Sequence, residues 1–432
     1  MNRFSKILFY LLMVILFLPM AQQEFDLVKI GGLHGAIKER KQPTLNLGNW
    51  FSEKYQKGTE KYVSQKFGFA NWFIRVENQI QYTFYNKAKA NGVIIGKEKY
   101  LYEKSYIDAY YGNDFLGEKT IRNLYAKLKL LNDTLETLNT QLLIVFAPGK
   151  GRFFPEYIPD NLIDQKKMTN LEYCVKTVDS LGLNYIDMST WFVQMKDTAS
   201  YPLYSKTGIH WSIYGVKVAV DSIATYCKNR LGLALNDYTW KPIVLSTDLT
   251  KSDMDIEKGM NLIFKIPNYS MPYTKMKFAK NNPNTARTIV IADSFFWQMF
   301  NLRFATKLFN KGQFWFYNNK IYPKRNGGAK VEDLNLAKEV INQDLIILMT
   351  TEPVLKRKYW NFIDMAYEAI FNPNAQEEYN KEVSLLTKRI KSDPKWMKSI
   401  KKNALARDIS IDSMIVVAAE YTYKQKLKKE MK

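Results

Sequence analysis

The chain has 432 residues, 46% of them hydrophobic and 24% charged, a composition typical of globular proteins that excludes a disordered or collagen-like chain. Lys and Arg number 63 against 42 Asp and Glu, and the net charge of +21 predicts an anionic environment or partner. Two cysteines are too few for a disulfide framework, and two histidines, His34 and His210, exclude a metal site built from several histidines.

The first 25 residues predict export. Arg3 and Lys6 precede an apolar run from Ile7 to Ala21, the pattern of a secretory signal peptide. The run is shorter than the roughly 20 residues that span a bilayer, but its cleavage site is poor, so a cleaved signal and an uncleaved signal-anchor both stay open. In either case the rest of the chain lies on the periplasmic or cell-surface side. Nucleic acid is disfavoured there, and the charge indicates either an envelope polyanion or a merely solvated basic surface.

Residues 26–46 predict a basic stalk, and residues 47–88 predict a helical region rich in aromatic side chains. The helical register is interrupted at Gly58 and Gly68, and an aromatic stripe of this kind predicts packing into a core. Residues 92–102 then predict two short strands around a polar turn.

From residue 119 the pattern alternates between amphipathic helices and short apolar strands. We predict helices at 119–140, 170–180, 216–231 and 296–309, and strands at 142–147, 184–187, 288–292, 313–317 and 344–350. A continuous apolar strand such as 142–147 is typical of a parallel sheet that is covered on both faces. The alternation therefore predicts a mostly parallel, doubly wound α/β/α sandwich.

The chain divides into four predicted parts. Residues 1–25 are the signal peptide or anchor, 26–46 the stalk, 47–358 the α/β domain and 359–432 a helical C-terminal region. This last region is rich in lysine, shows no strand pattern and is broken at Pro373 and Pro394.

A serine follows the strand 288–292, at the point where the strand gives way to a helix. This geometry places the Ser294 hydroxyl at the carboxyl edge of the sheet and its amide at a helix N-terminus, where a developing oxyanion is stabilised. We predict Ser294 to be a nucleophile. The alternative is that the pair Asp293-Ser294 only caps the helix.

His210 also directly precedes a predicted helix. The helix dipole disfavours a protonated imidazole at that position, which suits a neutral general base acting on a serine hydroxyl. We predict His210 to be this base, with a structural histidine packed on Trp211 as the alternative. His34 has no helical or strand frame and is predicted to be non-catalytic.

Taken in this order, the segments resemble the SGNH-hydrolase-like alginate O-acetyltransferase family of exported polysaccharide O-acetylation proteins. The motifs that carry the resemblance, between about residues 47 and 351, are Gly92 to Tyr102, Ala147-Pro148-Gly149-Lys150, Phe154-Pro155-Glu156, Tyr201 to Trp211, Ala292-Asp293-Ser294-Phe295 and Asp344 to Glu352. The resemblance implies a flavodoxin-like α/β/α domain and a Ser-His-Asp triad that handles acetyl groups. We predict no metal and no cofactor.

The chain departs from the family motif at one catalytic position. Gly208 stands two residues before His210, where the family has its triad aspartate. A remote carboxylate could replace it, a Ser-His dyad could act unaided, or the site could bind without catalysing. Asp293 is one conceivable substitute.

Three further residues are predicted to contribute to substrate or oxyanion binding beside Ser294. They are Lys150, Asp293 and Trp211. For Lys150, which follows the first predicted strand of the sheet, the alternative is a solvated surface lysine.

The leading hypothesis is acetyl transfer to, or removal from, hydroxyls of an extracytoplasmic polysaccharide, with Ser294 taking the acetyl group and His210 moving the proton. By resemblance, the acetyl donor is a membrane-bound O-acyltransferase. The alternative, motivated by Gly208 and the positive charge, is a degenerate protein that binds an acidic glycan or assembles with envelope polysaccharide machinery. A purely structural envelope protein would require both motif matches to be accidental.

Overall fold

The computed structural model describes residues 3–35, 39–279, 282–325, 328–407 and 409–430. The helices are α1 Arg3–Phe25, α2 Leu47–Phe51, α3 Lys54–Lys66, α4 Ala70–Tyr85, α5 Lys104–Tyr111, α6 Glu118–Thr137, α7 Lys150–Phe153, α8 Asn170–Ser180, α9 Met188–Met195, α10 Ile213–Asn229, α11 Asp255–Met260, α12 Phe296–Asn301, α13 Leu336–Ile341, α14 Phe362–Phe371, α15 Pro373–Ser392, α16 Pro394–Arg407 and α17 Ile411–Glu430. The strands are β1 Val93–Ile95, β2 Leu101–Glu103, β3 Gln141–Ala147, β4 Tyr185–Asp187, β5 Tyr238–Trp240, β6 Val244–Ser246, β7 Met271–Tyr273, β8 Met276–Phe278, β9 Arg287–Ala292, β10 Asn310–Phe316, β11 Lys320–Tyr322 and β12 Leu345–Thr351.

A six-stranded sheet in the order β11-β10-β9-β12-β3-β4 forms the centre of the protein. All neighbouring strands are parallel except the edge pair β10–β11. Strands β3, β9 and β12 are buried along almost their whole length, which explains their continuous apolar sequences. The predicted α/β fold with a mostly parallel sheet is confirmed.

Helices cover both faces of the sheet because successive residues of each strand point to opposite sides. Leu143 and Val145 belong to the core that α10 covers, whereas Leu142 and Ile144 belong to the core beneath α6 and α8. Both cysteines, in α8 and α10, are buried free thiols.

The predicted helix at 296–309 is two pieces in the structure. Helix α12 ends at Asn301, and a single π-helical turn follows at Phe304–Leu308. Arg303, between them, has a φ of 69°, which an α-helix cannot contain. The break leaves Arg303 exposed instead of continuing the helix.

The N-terminal region contradicts two predictions. Gly58 lies inside α3 and does not interrupt it, whereas the interruption predicted at Gly68 is observed, because α3 ends at Lys66 and α4 begins at Ala70. Phe51, Phe73 and Phe84 do not pack into the core but are exposed, whereas Tyr82 of the same region packs against the core. The reason lies in α4, whose polar side bonds to the α/β domain and turns its apolar side outward, as Asn78 does by donating to Met260 O at 2.8 Å.

Helix α1 is long and apolar enough to cross a membrane, with a mean hydropathy of 2.1 over its best 18 residues and 6% of that window buried. At the other end of the chain, α14 inserts Phe362, Ile363 and Ala366 into the core beneath α6. Helices α15 to α17 share a small separate core that includes Ile390 and Ile400. The predicted breaks at Pro373 and Pro394 are observed as the first residues of α15 and α16.

Candidate active site

The turn after β9 holds Ser294 at the carboxyl edge of the sheet. Asp293 fixes this turn through both carboxylate oxygens: Oδ1 accepts from the Phe295 amide at 2.9 Å, and Oδ2 accepts from the amide and the hydroxyl of Thr351, each at 2.8 Å. Thr351 is the last residue of the neighbouring strand β12. The position of Ser294 is therefore set by two adjacent strands and not by its own loop alone.

His210 bridges Ser294 and a carboxylate. Its Nε2 lies 3.0 Å from Ser294 Oγ, and its Nδ1 lies 2.5 Å from Asp255 Oδ2. With the Nδ1 proton donated to the carboxylate, Nε2 is left as the acceptor for the serine hydroxyl. The imidazole also packs on the Phe295 ring, at a centroid distance of 4.7 Å, so its plane is fixed from the side.

Asp255 is the first residue of α11 and follows His210 by 45 positions. Its second oxygen, Oδ1, accepts from the amides of Ile209 and Ile256, at 2.8 and 2.9 Å. One carboxylate thus orients the imidazole and the backbone immediately before it. Asp255 is the remote carboxylate that the sequence left unidentified, because no local motif marks it.

Burial and Asp255 act in opposite directions on His210. Burial lowers the pKa of the imidazole, but the hydrogen bond and negative charge of Asp255 outweigh it, so the net pKa lies above the ordinary value of 6.5. This is the result expected for a base whose cationic form has a carboxylate partner. The three side chains have the geometry that activates a serine hydroxyl for nucleophilic attack.

Tyr317 interacts with the same serine. Burial raises the pKa of its phenol, and hydrogen bonding with Ser294 opposes this shift. The residue follows β10 and has a φ of 53°. Its hydroxyl therefore lies close to the Ser294 hydroxyl.

Lys150 is not a solvated surface lysine, and that alternative is wrong. Its side chain is fully buried, and its Nζ donates to Lys206 O at 2.8 Å and to Gly208 O at 2.6 Å. Burial lowers the pKa of this amine from 10.5 to about 7. Lys150 therefore stabilises the backbone of the segment that ends in His210.

Asp293 and Trp211, the other two predicted binding residues, are also buried. The Asp293 carboxylate is 1% exposed and bonds to Phe295 and Thr351, so it is not the carboxylate that orients His210. Trp211 is fully buried, with its ring packed near the Phe295 ring at 5.7 Å. Both residues contact Phe295, the residue that follows Ser294.

A cavity of about 630 Å³ opens over the serine and the histidine. Its volume is typical of sites that take small molecules or sugar units. Besides the three side chains already described, its wall includes Trp297, Gln298, Met276, Lys275 and Arg303. Within the described ranges, no three His, Cys, Asp or Glu side chains are placed to hold a metal ion.

Residues 93–251 match the family model described as the SGNH hydrolase-like domain of the acetyltransferase AlgX. The predicted family resemblance is confirmed. The matched range contains His210 and ends before Asp255 and Ser294, so those two residues are assigned to the site by geometry.

The chain is also similar to curated relatives and to solved structures. The chain is 22% identical to the probable alginate O-acetylase AlgJ of Pseudomonas syringae pv. tomato over 170 residues, and 22% identical to that of Azotobacter vinelandii over 169 residues. Each alignment spans 39% of this chain and 42% of the relative. The O-acetyltransferase domain of Pseudomonas putida AlgJ aligns over 63% of this chain and 99% of its own length, with 13% identity and a TM-score of 0.42. Pseudomonas aeruginosa AlgX aligns over 63% of this chain and 67% of its own length, with 12% identity and a TM-score of 0.41.

Proposed function

We propose that this protein transfers acetyl groups to hydroxyls of an extracytoplasmic polysaccharide through an acetyl-serine at Ser294. The observation that carries the proposal is the hydrogen-bonded row Asp255, His210 and Ser294 at the floor of an open cavity. The non-catalytic alternative is motivated by the missing carboxylate at residue 208 and by the positive charge. Asp255 supplies a carboxylate to His210 Nδ1 from another segment, so the first of these motivations falls away and only the charge still favours that alternative.

In the first step, Ser294 Oγ attacks the carbonyl carbon of the donor's acetyl ester while His210 Nε2 takes the hydroxyl proton. The donor oxygen leaves with this proton, returned to it by the imidazolium, and the acetyl group stays on Ser294. In the second step, His210 takes a proton from a glycan hydroxyl, whose oxygen attacks the acetyl carbon. Ser294 leaves as the alkoxide and recovers the proton. Asp255 stabilises the imidazolium in both steps.

Each attack places negative charge on the acetyl oxygen. The Ser294 amide, at the turn into α12, is the donor that we assign to this oxygen. A donor fixed before the reaction stabilises such an oxyanion without reorganisation during the step.

The acceptor side of the cavity fits a carbohydrate. Trp297 presents an indole ring, and Lys275 and Arg303 are exposed cations in the same wall. Exposed cations attract an anionic glycan at low ionic strength without any specific pairing. The two relatives are named as probable alginate O-acetylases, and we propose an acidic polysaccharide as the acceptor here too.

We further propose that α1 is retained as a membrane anchor, which keeps the site near a membrane-bound acetyl donor on the outer side of the membrane. Its 23 helical residues exceed the roughly 20 that a bilayer requires. Arg3 and Lys6 at its beginning favour an N-terminus on the cytoplasmic side. The intact mass of the chain purified from its own membranes tests this directly: loss of the first 20 or so residues excludes an anchor.

The acetyl-enzyme is tested with the full chain in detergent, incubated with an activated acetyl ester. Intact-mass measurement should show one added acetyl group, and this adduct should disappear in Ser294→Ala and fall strongly in His210→Ala. Ser180→Ala, which removes an exposed serine at the end of α8, is the control and should keep the adduct. An adduct that persists in Ser294→Ala rejects the proposal.

A second measurement separates transfer from hydrolysis. Acidic oligosaccharide is added to the acetylated protein, and acetyl-oligosaccharide and free acetate are quantified. A transferase should give the acetylated sugar in preference to acetate, whereas an esterase should give acetate at the same rate with and without sugar.

A further inference from the structure

Helix α4 turns its apolar side away from the domain, the reverse of the arrangement usual for a helix of a soluble protein. Its inner side contacts the domain mainly through polar groups: Asn78 donates to Met260 O, Gln79 Oε1 accepts from the amides of Ile263 and Phe264, and Arg75 donates to carbonyls of the preceding segment. Tyr82 also packs against the main core from this side. A surface helix ordinarily places its apolar side against the core and its polar side in water. The polar contacts of α4 leave its apolar side unpartnered.

The outer side of α4 carries Phe73, Ile80 and Phe84, spaced by seven and four residues and therefore on one face of the helix. All three are exposed, Phe84 by 77%. Phe264, bound to α4 through Gln79, is 70% exposed. We call Phe73, Ile80, Phe84 and Phe264 the apolar face. Its one acidic neighbour, Glu77, pairs with Lys89 at 2.8 Å and adds no free negative charge.

The end of α1 lies directly beside the start of α4. A Cβ placed on Gly68 would stand 2.0 Å from Pro19 O and 2.9 Å from the Gln23 amide, so the backbones of the two segments touch there. Helix α4 begins two residues later, at Ala70. If α1 crosses a bilayer, α4 therefore starts at the level where α1 leaves it.

The surrounding sequence carries the charge that suits a lipid surface. Residues 26–90 contain eleven Lys and Arg against five Asp and Glu. Basic side chains near a membrane are attracted by anionic head groups, and aromatic side chains are enriched at the boundary between head groups and acyl chains. The basic residues and α4 belong to the segment whose Gly68 touches the backbone of α1.

We propose that α4 lies in the membrane interface next to the point where α1 emerges, with the apolar face in lipid. The inference rests on the proposed retention of α1. Because Asn78 bonds to Met260, the last residue of α11, the membrane-bound helix contacts the helix that begins with Asp255. The active site is thereby held at a fixed height and orientation above the bilayer.

The test uses the full chain in vesicles of phosphatidylethanolamine and phosphatidylglycerol. Single cysteines, Ile80→Cys and Phe84→Cys, carry an environment-sensitive fluorophore, and the two native thiols are buried and give the background. Leu130→Cys, an exposed position on α6 at the opposite face of the sheet, is the control. These exposed positions make no core contacts that the substitutions could destroy.

Nitroxide-labelled lipids then report the location of each fluorophore. Since an interfacial helix lies roughly 5–10 Å deep, lipids labelled near the head group should remove most of the emission at residues 80 and 84 and leave that at residue 130 unchanged. Equal emission with and without nitroxide at all three positions overturns the proposal. Efficient cross-linking of two Phe84→Cys chains by a bismaleimide, with no lipid quenching, also overturns it and assigns the apolar face to a second copy.

The intact mass of the chain from its native membranes is recorded in parallel. A shortened chain rejects the anchor, and with it the placement of α4 in the cell, whatever the vesicles show. An intact chain without quenching rejects only the location of α4. Neither measurement depends on acetyl transfer, so failure of the proposed activity is distinguishable from failure of this inference.

Discussion

The backbone of Gly208 lies against the carbonyl of Ser252, so closely that a Cβ on residue 208 would stand 2.3 Å from that oxygen. Ser252 belongs to the segment that leads into α11 and delivers Asp255 to the imidazole. The glycine and the remote carboxylate are therefore two parts of one arrangement. A side chain at residue 208 would push away the segment that supplies the carboxylate.

The first prediction concerns this contact. Gly208→Ala should lower the free energy of unfolding by about 1–3 kcal/mol, the usual cost of forcing extra atoms into a packed site. The matched control is Gly259→Ala in α11, where a Cβ meets nothing within 4 Å. There alanine should be neutral or stabilising by about 0.5–1 kcal/mol. Equal stability of the two variants in denaturant titrations would contradict the close approach.

The second prediction concerns Asp255. Asp255→Asn should reduce kcat by a factor on the order of 10⁴, because the amide no longer stabilises the imidazolium and can favour the wrong tautomer. Asp248→Asn, which changes an exposed carboxylate before the same helix, is the control and should leave kcat unchanged. A modest loss in Asp255→Asn, no larger than in the control, would indicate that Ser294 and His210 act as a dyad.

The pH profile gives this variant an independent readout. In the wild type, kcat/KM should rise with pH and level off above an inflection higher than 6.5, since His210 must be neutral to accept the serine proton and its pKa is raised. Burial lowers the pKa of His210, and in Asp255→Asn the carboxylate that mainly opposes this effect is absent. The inflection should therefore move to lower pH. An unchanged inflection would show that another group controls the profile.

The sequence predicted the sheet and two of the three members of this row. Strands β3, β9 and β12 were visible because a strand buried on both faces is a continuous apolar run. Ser294 and His210 were visible because each stands at a strand or loop end before a helix. Asp255 was not visible in the sequence. The chain between it and His210 contains a whole helix and two short strands, and a contact between residues so far apart in the chain leaves no local pattern.

The errors in the prediction have a physical cause as well. The aromatic residues of 47–88 were expected in a core because apolar periodicity shows that a helix has an apolar side, but not which way that side faces. For Lys150 a surface position was the alternative, because lysines are rarely fully buried without a charged partner. In the structure, two backbone carbonyls accept from its amine instead.

The third prediction concerns the cations in the cavity wall. Lys275→Gln and Arg303→Gln should raise KM for an anionic oligosaccharide by about fivefold or less each at low salt, since an exposed ion pair contributes about 1 kcal/mol or less. The value of kcat should be unaffected, because neither side chain contacts the reacting atoms. Lys277→Gln removes an exposed lysine two residues further along and is the control. A KM increase that persists at high salt would contradict simple charge attraction.

The last prediction concerns the buried amine of Lys150. Its pKa is about 7 in the folded protein and 10.5 ordinarily, so between these values the unfolded chain carries a proton that the folded protein does not. Stability therefore rises with pH through this window because of Lys150, by at most ~1.4 kcal/mol per pH unit. In Lys150→Met this contribution is absent, and the free-energy difference between wild type and variant should increase from pH 7 to pH 10. Lys119→Met, which removes an exposed lysine of α6, controls for the loss of one charge. Parallel curves for wild type and Lys150→Met would show that the amine keeps its proton when buried, and that its two carbonyl contacts are made by an ammonium ion.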